Sequence, residues 1–456
     1  MERAEVIDAG SEGMAVCRVD NRVVFVPYVV PGDIIDIRIV RKKRKYLEGR
    51  AVHFHQYSPK RTEALCTHFG ICGGCRWQNM KYGDQLFYKQ KQVFDSLKRI
   101  GGIESPEVRS ILGSESVYCY RNKLEYTFSN LRWFTEKKSD IAEDPNALGF
   151  HIPGMFDKVL DIDQCFLQDD FTNTVRLTVK SYALRNQHKF YNIRTHEGFL
   201  RNLIVRNTRD GQWMVIVVFA LHLKTEIQEM MDFIHSSFPQ ITSLSYVVNE
   251  KLNDTISDQK VIPYHGELFI TETIDGIQFR ISPVSFFQTN TFQAARLYNI
   301  ALGFASFRGD ETVYDLYSGT GTISLLASGK VKKVIGIEYI DAAVADARIN
   351  AEVNGIVNTE FFSGDMSKVL DDEFILRNGR PDVIITDPPR AGMHSSVIDN
   401  IIKISPARIV YISCNPATQA RDVAMMLETY RISAIQPVDM FPHTQHVENV
   451  ILLEKV

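Results

Sequence analysis

The chain has little net charge, no long apolar run and few cysteines, and each shortage narrows what it can be. In 456 residues, 52 Lys and Arg stand against 55 Asp and Glu, a formal charge of −3. A chain so balanced is not an overall polyanion binder, so any nucleic-acid surface on it must be local. The longest apolar stretch, Met214 to Leu221, falls far short of the ~20 residues a helix needs to cross a bilayer. Met1 to Gly10 lacks the apolar core of a signal peptide, so a cytoplasmic protein with no membrane partner is expected. No repeat or low-complexity tract interrupts the chain, and no feature points to an obligate protein partner. Of the seven cysteines, three crowd into Cys66, Cys72 and Cys75. In a reducing compartment such a cluster reads as a metal site rather than a disulfide framework.

What is present divides into three stretches. Hydrophobic residues make up 45% of the chain, enough for sizeable cores, and the length suggests roughly two to four domains. Residues 1–57 hold β-branched segments at Met14 to Val19, Val23 to Pro27 and Asp33 to Val40, punctuated by Gly10, Gly13, Asp20-Asn21 and Pro31-Gly32. This is the pattern of a small, OB-like β-barrel. Residues 1–61 carry 12 Lys and Arg against 8 Asp and Glu, a local charge of +4. Its densest part, Arg41 to Lys45, is either a solvated hairpin end or a phosphate-contacting loop. Residues 58–270 mix a helix from Tyr82 to Ile100 with strands such as Lys123 to Phe128 and Trp213 to Phe219, and read as a mixed α/β domain. From 271 to 456 strands and helices alternate: strands at Thr312 to Tyr317, Lys333 to Glu338, Thr359 to Phe362, Asp382 to Thr386 and Arg408 to Ser413, helices at Asp341 to Asn354 and Thr418 to Tyr430. That order predicts a doubly wound, mostly parallel Rossmann-like sheet with ligands at its carboxyl edge.

The first candidate site follows the strand ending at Tyr317. Gly319 and Gly321 there let a ligand approach the backbone at a helix start. Glu338 ends the next strand, where a carboxylate can accept hydrogen bonds from two ribose hydroxyls. Ser324 stands where the dinucleotide fingerprint has its third glycine, and Asp365 follows the third strand. The set is the pattern of S-adenosylmethionine methyltransferases; a helix-capping Asp365 and a solvated Glu338 are the plainer alternatives. The second site is Cys414, in Ser413-Cys414-Asn415-Pro416 directly after an apolar strand. A buried structural cysteine is the alternative. Its strand-end position, the turn set by Pro416, and Asp387-Pro388-Pro389-Arg390 at the same edge favour chemistry. A thiolate can add to carbon 6 of a uracil and make carbon 5 nucleophilic. Nearby positive charge would help ionise it. Glu448, before the final strand Val450 to Glu454, is the candidate base, with His443 and His446 as rivals. An antiparallel last strand would start at that same edge.

Taken together, these motifs closely resemble the RNA uracil-5-methyltransferases, specifically the 23S rRNA branch with an N-terminal TRAM domain and a 4Fe–4S cluster. The likeness runs through Gly13 to Gly32, Cys66 to Cys75, Tyr120-Arg121-Asn122-Lys123, Ser285 to Asn290, Asp387 to Arg390, Ser413 to Pro416 and His443 to Glu448. It implies Cys414 as nucleophile and Glu448 as base. It implies Gln288, Tyr317, Glu338, Asp365 and Asp387 around S-adenosylmethionine and the target base; Gln288 is otherwise just a polar loop residue. Relatives carry Cys and Asn at the positions of Ser318 and Thr322, so Thr322 is left out of the site. Spacing alone leaves zinc and an iron–sulfur cluster open; the resemblance favours 4Fe–4S on Cys66, Cys72, Cys75 and Cys165, with Cys17 and Cys119 as rivals for the fourth thiolate. RNA contacts are expected from the barrel loop and from Arg121, Lys123, Arg132 and Trp133, while Tyr118, Tyr120 and Tyr126 are equally suited to a core. A tRNA uridine is the alternative target. A non-enzymatic RNA-binding factor is disfavoured by the co-occurrence of Cys414, Glu448 and the Gly319/Gly321 loop.

Overall fold

A computed structural model describes residues 1–10, 12–135 and 144–456. Strands Ala4–Ala9, Ala15–Val19, Arg22–Val26, Ile34–Lys42 and Leu47–Gln56 close into a five-stranded barrel. Alternate residues point inward, so Val6, Val24, Ile35 and Ile37 are buried while their neighbours are not. Closure leaves the barrel no free edge. Cys17 lies in this core, fully buried.

The middle of the chain builds an eight-stranded sheet. Its strand Trp213–Phe219 is buried along its whole length. It pairs antiparallel with Leu200–Asn207 on one side and parallel with Ser243–Val248 on the other. That explains why the longest apolar run is a strand: both of its faces are covered, one by the helix Lys224–Ser237, the other by the C-terminal half.

The C-terminal sheet has seven strands in the spatial order Thr359–Ser363, Lys333–Glu338, Thr312–Leu316, Val383–Thr386, Arg408–Ser413, Glu448–Lys455, Tyr430–Val438. The first five run parallel. Glu448–Lys455 is antiparallel to both its neighbours. The strand order reverses between Thr312–Leu316 and Val383–Thr386, which opens a crevice at their carboxyl ends. The expected helix Thr418 to Tyr430 is shorter, Pro416–Ala424. Its start is fixed by Asn415, whose side chain accepts from the Ala417 amide at 3.1 Å. Its end is forced because Tyr430 already pairs with Lys455 in the edge strand. The helix Tyr82–Arg99 lies against this sheet: Val93 and Leu97 share an apolar cluster with Ala420, Val423 and Ile435. Burying each such side chain contributes about 1.5–3 kcal/mol.

Candidate active site

The turn after Thr312–Leu316 has three residues at positive φ: Tyr317 (63°), Gly319 (53°) and Gly321 (82°). Tyr317 is not glycine, and such strain of about 1–3 kcal/mol collects at functional sites. A Cβ on Gly321 would lie 3.0 Å from Ala347 Cβ and Phe361 Cζ, so that glycine serves packing. One on Gly319 would meet nothing within 4 Å, so its side of the turn is open to a ligand. Glu338 closes the adjacent strand. Its Oε2 accepts from the Gly319 amide and its Oε1 from the Ile340 amide, both at 3.0 Å. The carboxylate is thereby aimed, with lone pairs to spare. Exposed Tyr339 and Ile340 flank it with apolar surface. Asp365 follows Thr359–Ser363 and caps a short helix, its Oδ1 accepting from Ser367 N (3.0 Å) and Oγ (2.7 Å). Its other oxygen faces Lys368 at 3.8 Å.

Ser413 is paired with Asn449 across the antiparallel strands. The next step along each strand sets Cys414 beside Glu448. Asp387 enters from the neighbouring parallel strand, its amide donating to Leu316 O at 3.3 Å. Burial pushes the Glu448 carboxyl up to about 8, helped by the charge of Asp387. Burial likewise raises Asp387 to about 7, with Asp315 contributing. The Cys414 thiol rises to about 11 through burial and then through Glu448 and Asp387, while Arg390 pulls it back down. Arg390 is held by Asn415 Nδ2 and Thr418 Oγ1, which donate to its carbonyl at 3.0 and 3.2 Å. Buried Tyr298 faces Asp387, Glu448 and Asp315, and Gln288 lies within its reach, which brings Gln288 to the same group. The two histidines differ from Glu448: burial lowers both to about 4, so both are neutral at pH 7. His446 Nδ1 sits 3.2 Å from an Arg390 nitrogen.

Away from this edge, Cys66, Cys72, Cys75 and Cys165 line one cavity of about 850 Å³. Each of Cys72, Cys75 and Cys165 feels the charge of others in the set. Burial raises Cys72 to about 11 and Cys75 to about 12. Of the two rivals for the fourth position, Cys17 is sealed in the barrel and Cys119 is solvent-exposed. The same cavity reaches Gln288, Phe286, Thr444 and His446, and carries Arg121, Lys123 and Arg206 on its wall. It therefore joins the cysteine loop to the edge of the crevice. Tyr126 and Tyr120 are core residues, and Tyr120 donates to Pro442 O at 3.1 Å. Arg132 turns away to Asp161 at 3.7 Å and to the ring of Phe134. Sequence reasoning missed Tyr298 and Arg206; neither lies in a motif, and only the fold aims them inward. The capping residue Asn290, whose side chain accepts from the Gln293 amide, was the available signal for the helix Thr291–Ala305 that carries Tyr298.

The family model described as tRNA (uracil-5-)-methyltransferase matches residues 266–456, and the TRAM domain matches residues 2–52. A protein of Bacteroides thetaiotaomicron named as an uncharacterized RNA methyltransferase is 54% identical over 97% of this chain and 99% of its own length. One of the same name from Porphyromonas gingivalis is 50% identical over 98% and 99%. The crystal structure of Pyrococcus abyssi tRNA (uracil-54, C5)-methyltransferase with S-adenosyl-L-homocysteine aligns at a TM-score of 0.77 and 29% identity, covering 99% of this chain and 100% of that one. With the barrel, the crevice and these relatives in agreement, the chain belongs to the family of S-adenosylmethionine-dependent RNA uracil-5-methyltransferases.

Proposed function

We propose that this enzyme methylates carbon 5 of a uridine in 23S rRNA through a covalent adduct between Cys414 and carbon 6. The observation that carries the covalent route is the Ser413–Asn449 pairing, which seats a thiol and a buried carboxyl side by side at the crevice. The Cys414 thiolate forms the S–C6 bond and the ring becomes an enolate, nucleophilic at carbon 5. Bound S-adenosylmethionine would supply the methyl group to carbon 5, its sulfur–methyl bond breaking and S-adenosylhomocysteine leaving. Once carbon 5 is methylated, Glu448 takes its proton, the C6–S bond breaks, and Cys414 leaves as thiolate. Gln288, Tyr317, Glu338, Asp365 and Asp387 surround S-adenosylmethionine and the target base. The cavity beside Arg121, Lys123 and Arg206 is a basic entry for an unstacked nucleotide, and unstacking costs least at single-stranded sites.

A tRNA uridine is the second reading. It is favoured by the Pyrococcus abyssi enzyme, described as acting on tRNA, which aligns with 99% of this chain, barrel included. Mapping 5-methyluridine in rRNA and tRNA from cells with and without this protein separates the two. Loss of the mark from 23S rRNA alone supports the first; loss confined to tRNA replaces it.

Glu338→Ala should weaken S-adenosylmethionine binding while leaving the fold intact. Charged hydrogen bonds are worth about 1.5–3 kcal/mol, so calorimetry should show a loss of roughly 10–100-fold. Unchanged affinity would remove Glu338 from the donor site.

The four cysteines fit a 4Fe–4S cluster better than zinc. All four line one cavity, four thiolates are the ligand set of a cubane cluster, and the resemblance of the motif favours iron. Two of these sulfurs also accept N–H donors: Cys75 from Gln78 at 3.2 Å and Cys72 from Gly74 at 3.4 Å. Such bonds orient and tune cluster ligands. Anaerobically purified protein should therefore carry about four irons per chain, and Cys72→Ser should lose iron and melt earlier. Stoichiometric zinc in place of iron would overturn the assignment. The protein is expected to act in the cytoplasm; among the described residues no helix is long and apolar enough to cross a membrane.

A further inference from the structure

The segment Asp439 to Val447, which delivers Glu448 to the crevice, is held from outside the C-terminal sheet. On the helix Tyr82–Arg99, the residues Tyr82, Gln85 and Lys89 share one face at helical spacing. Lys89 and Asp439 are both fully buried and form an ion pair at 2.6 Å. Lys89 Nζ also donates to Phe441 O at 3.0 Å, and Tyr82 Oη donates to Asp439 Oδ2 at 2.9 Å. Gln85 Oε1 accepts from the His443 amide at 2.9 Å. The residues directly after Cys75 form the other jaw: the amides of Arg76 and Trp77 donate to His443 O at 2.8 and 2.9 Å. His443 sits at φ 66°, a strained conformation that persists only where surroundings over-determine it. The barrel closes the enclosure, since a Cβ on Gly13 would lie 2.9 Å from Gln445 Oε1.

A buried lysine costs desolvation, and a well-packed apolar residue would serve stability at least as well. What the ion pair adds is a fixed register between the helix and the loop. We propose that Lys89 is a positioning residue for the proton-abstraction step, acting through Asp439 and the Phe441 carbonyl to fix where Glu448 meets carbon 5. The inference rests on Glu448 as the base. It makes the N-terminal half of the chain part of the catalytic geometry, not only an RNA platform.

The test compares Lys89→Met, Glu448→Gln and the double variant on a uridine RNA substrate. Lys89→Met should keep the affinities for RNA and for S-adenosylmethionine, lose about 100-fold in kcat as expected for a 1 Å misplacement, and accumulate the methylated cysteine–RNA adduct on a denaturing gel. The double variant should be no slower than Glu448→Gln alone, because both losses fall on one step. Should Lys89→Met fold poorly, Lys89→Met with Asp439→Asn removes both charges and gives the same readout. A kcat loss with no adduct, a parallel loss of donor binding, or additive losses in the double variant overturns the positioning role. Normal turnover by Glu448→Gln instead overturns the base assignment, and the two failures are told apart by that single variant.

Discussion

Cys414→Ala is expected to show no methyl transfer above background and no covalent capture of 5-fluorouridine RNA in the presence of S-adenosylmethionine. The loss is of the whole covalent route, on the order of 10⁶-fold or more. Fluorine at carbon 5 cannot be removed as a proton, so the wild type should stall as a stable protein–RNA adduct. The adduct should survive denaturation and appear as a shifted band. The substitution should leave donor binding intact, since Glu338, Tyr317 and Asp365 lie at the ends of other strands. The thiol needs help to ionise: burial and two carboxyls raise it to about 11, against the opposing pull of Arg390 and a backbone hydrogen bond. Arriving positive charge, such as a sulfonium, shifts it the other way. A Cys414→Ala protein that still methylates would end the covalent mechanism.

Glu448→Gln should slow turnover by roughly 10²–10⁴-fold and accumulate the adduct on ordinary uridine RNA, because the methylated ring keeps its carbon 5 proton and cannot eliminate. The pH profile offers a second reading. As the proposed base Glu448 would act deprotonated, and it is raised to about 8, so kcat should fall as pH drops below that value. Glu448→Gln should flatten this limb. Stability runs the opposite way. Glu448 is held above its ordinary value of 4.5 in the fold, so between about 4.5 and 8 the native state binds more protons than the unfolded chain. Stability therefore falls as pH rises through that window. Glutamine removes this slope, and its Tm at pH 8 should exceed that of the wild type. A lower Tm with an unchanged pH profile would make Glu448 structural.

Much of the C-terminal half was legible because its signals are local. The strands Lys333–Glu338 and Arg408–Ser413 read directly from β-branched runs, and the glycines after Thr312–Leu316 marked the turn. The final strand was read as antiparallel, and its pairing places Glu448 beside Cys414. Other elements carried weaker signals. The edge strand Tyr430–Val438 was taken into a helix at its first residue, since Val423, Met426 and Tyr430 fall at near-helical spacing and all are buried. The helices Asp170–Arg185 and Ser395–Ile404 were not anticipated. The first buries polar Thr172, Asn173 and Arg176 among its apolar residues, which blurs the stripe that marks an amphipathic helix.

The sequence by itself determined the residue types at the strand ends: a thiol before Asn-Pro, carboxyls at Asp387 and Glu448, glycines at Gly319 and Gly321, and thiols at Cys66, Cys72 and Cys75. Each follows from short-range backbone rules that need no partner. Tertiary structure decided what these groups meet. It buried Cys17 inside the barrel and brought Cys165 to the cavity lined by Cys66, Cys72 and Cys75. It raised Glu448 by burial, and tied Asp439 to Lys89 across 350 residues of chain. Burial and long-range pairing depend on how separate elements pack, and no local pattern encodes that distance.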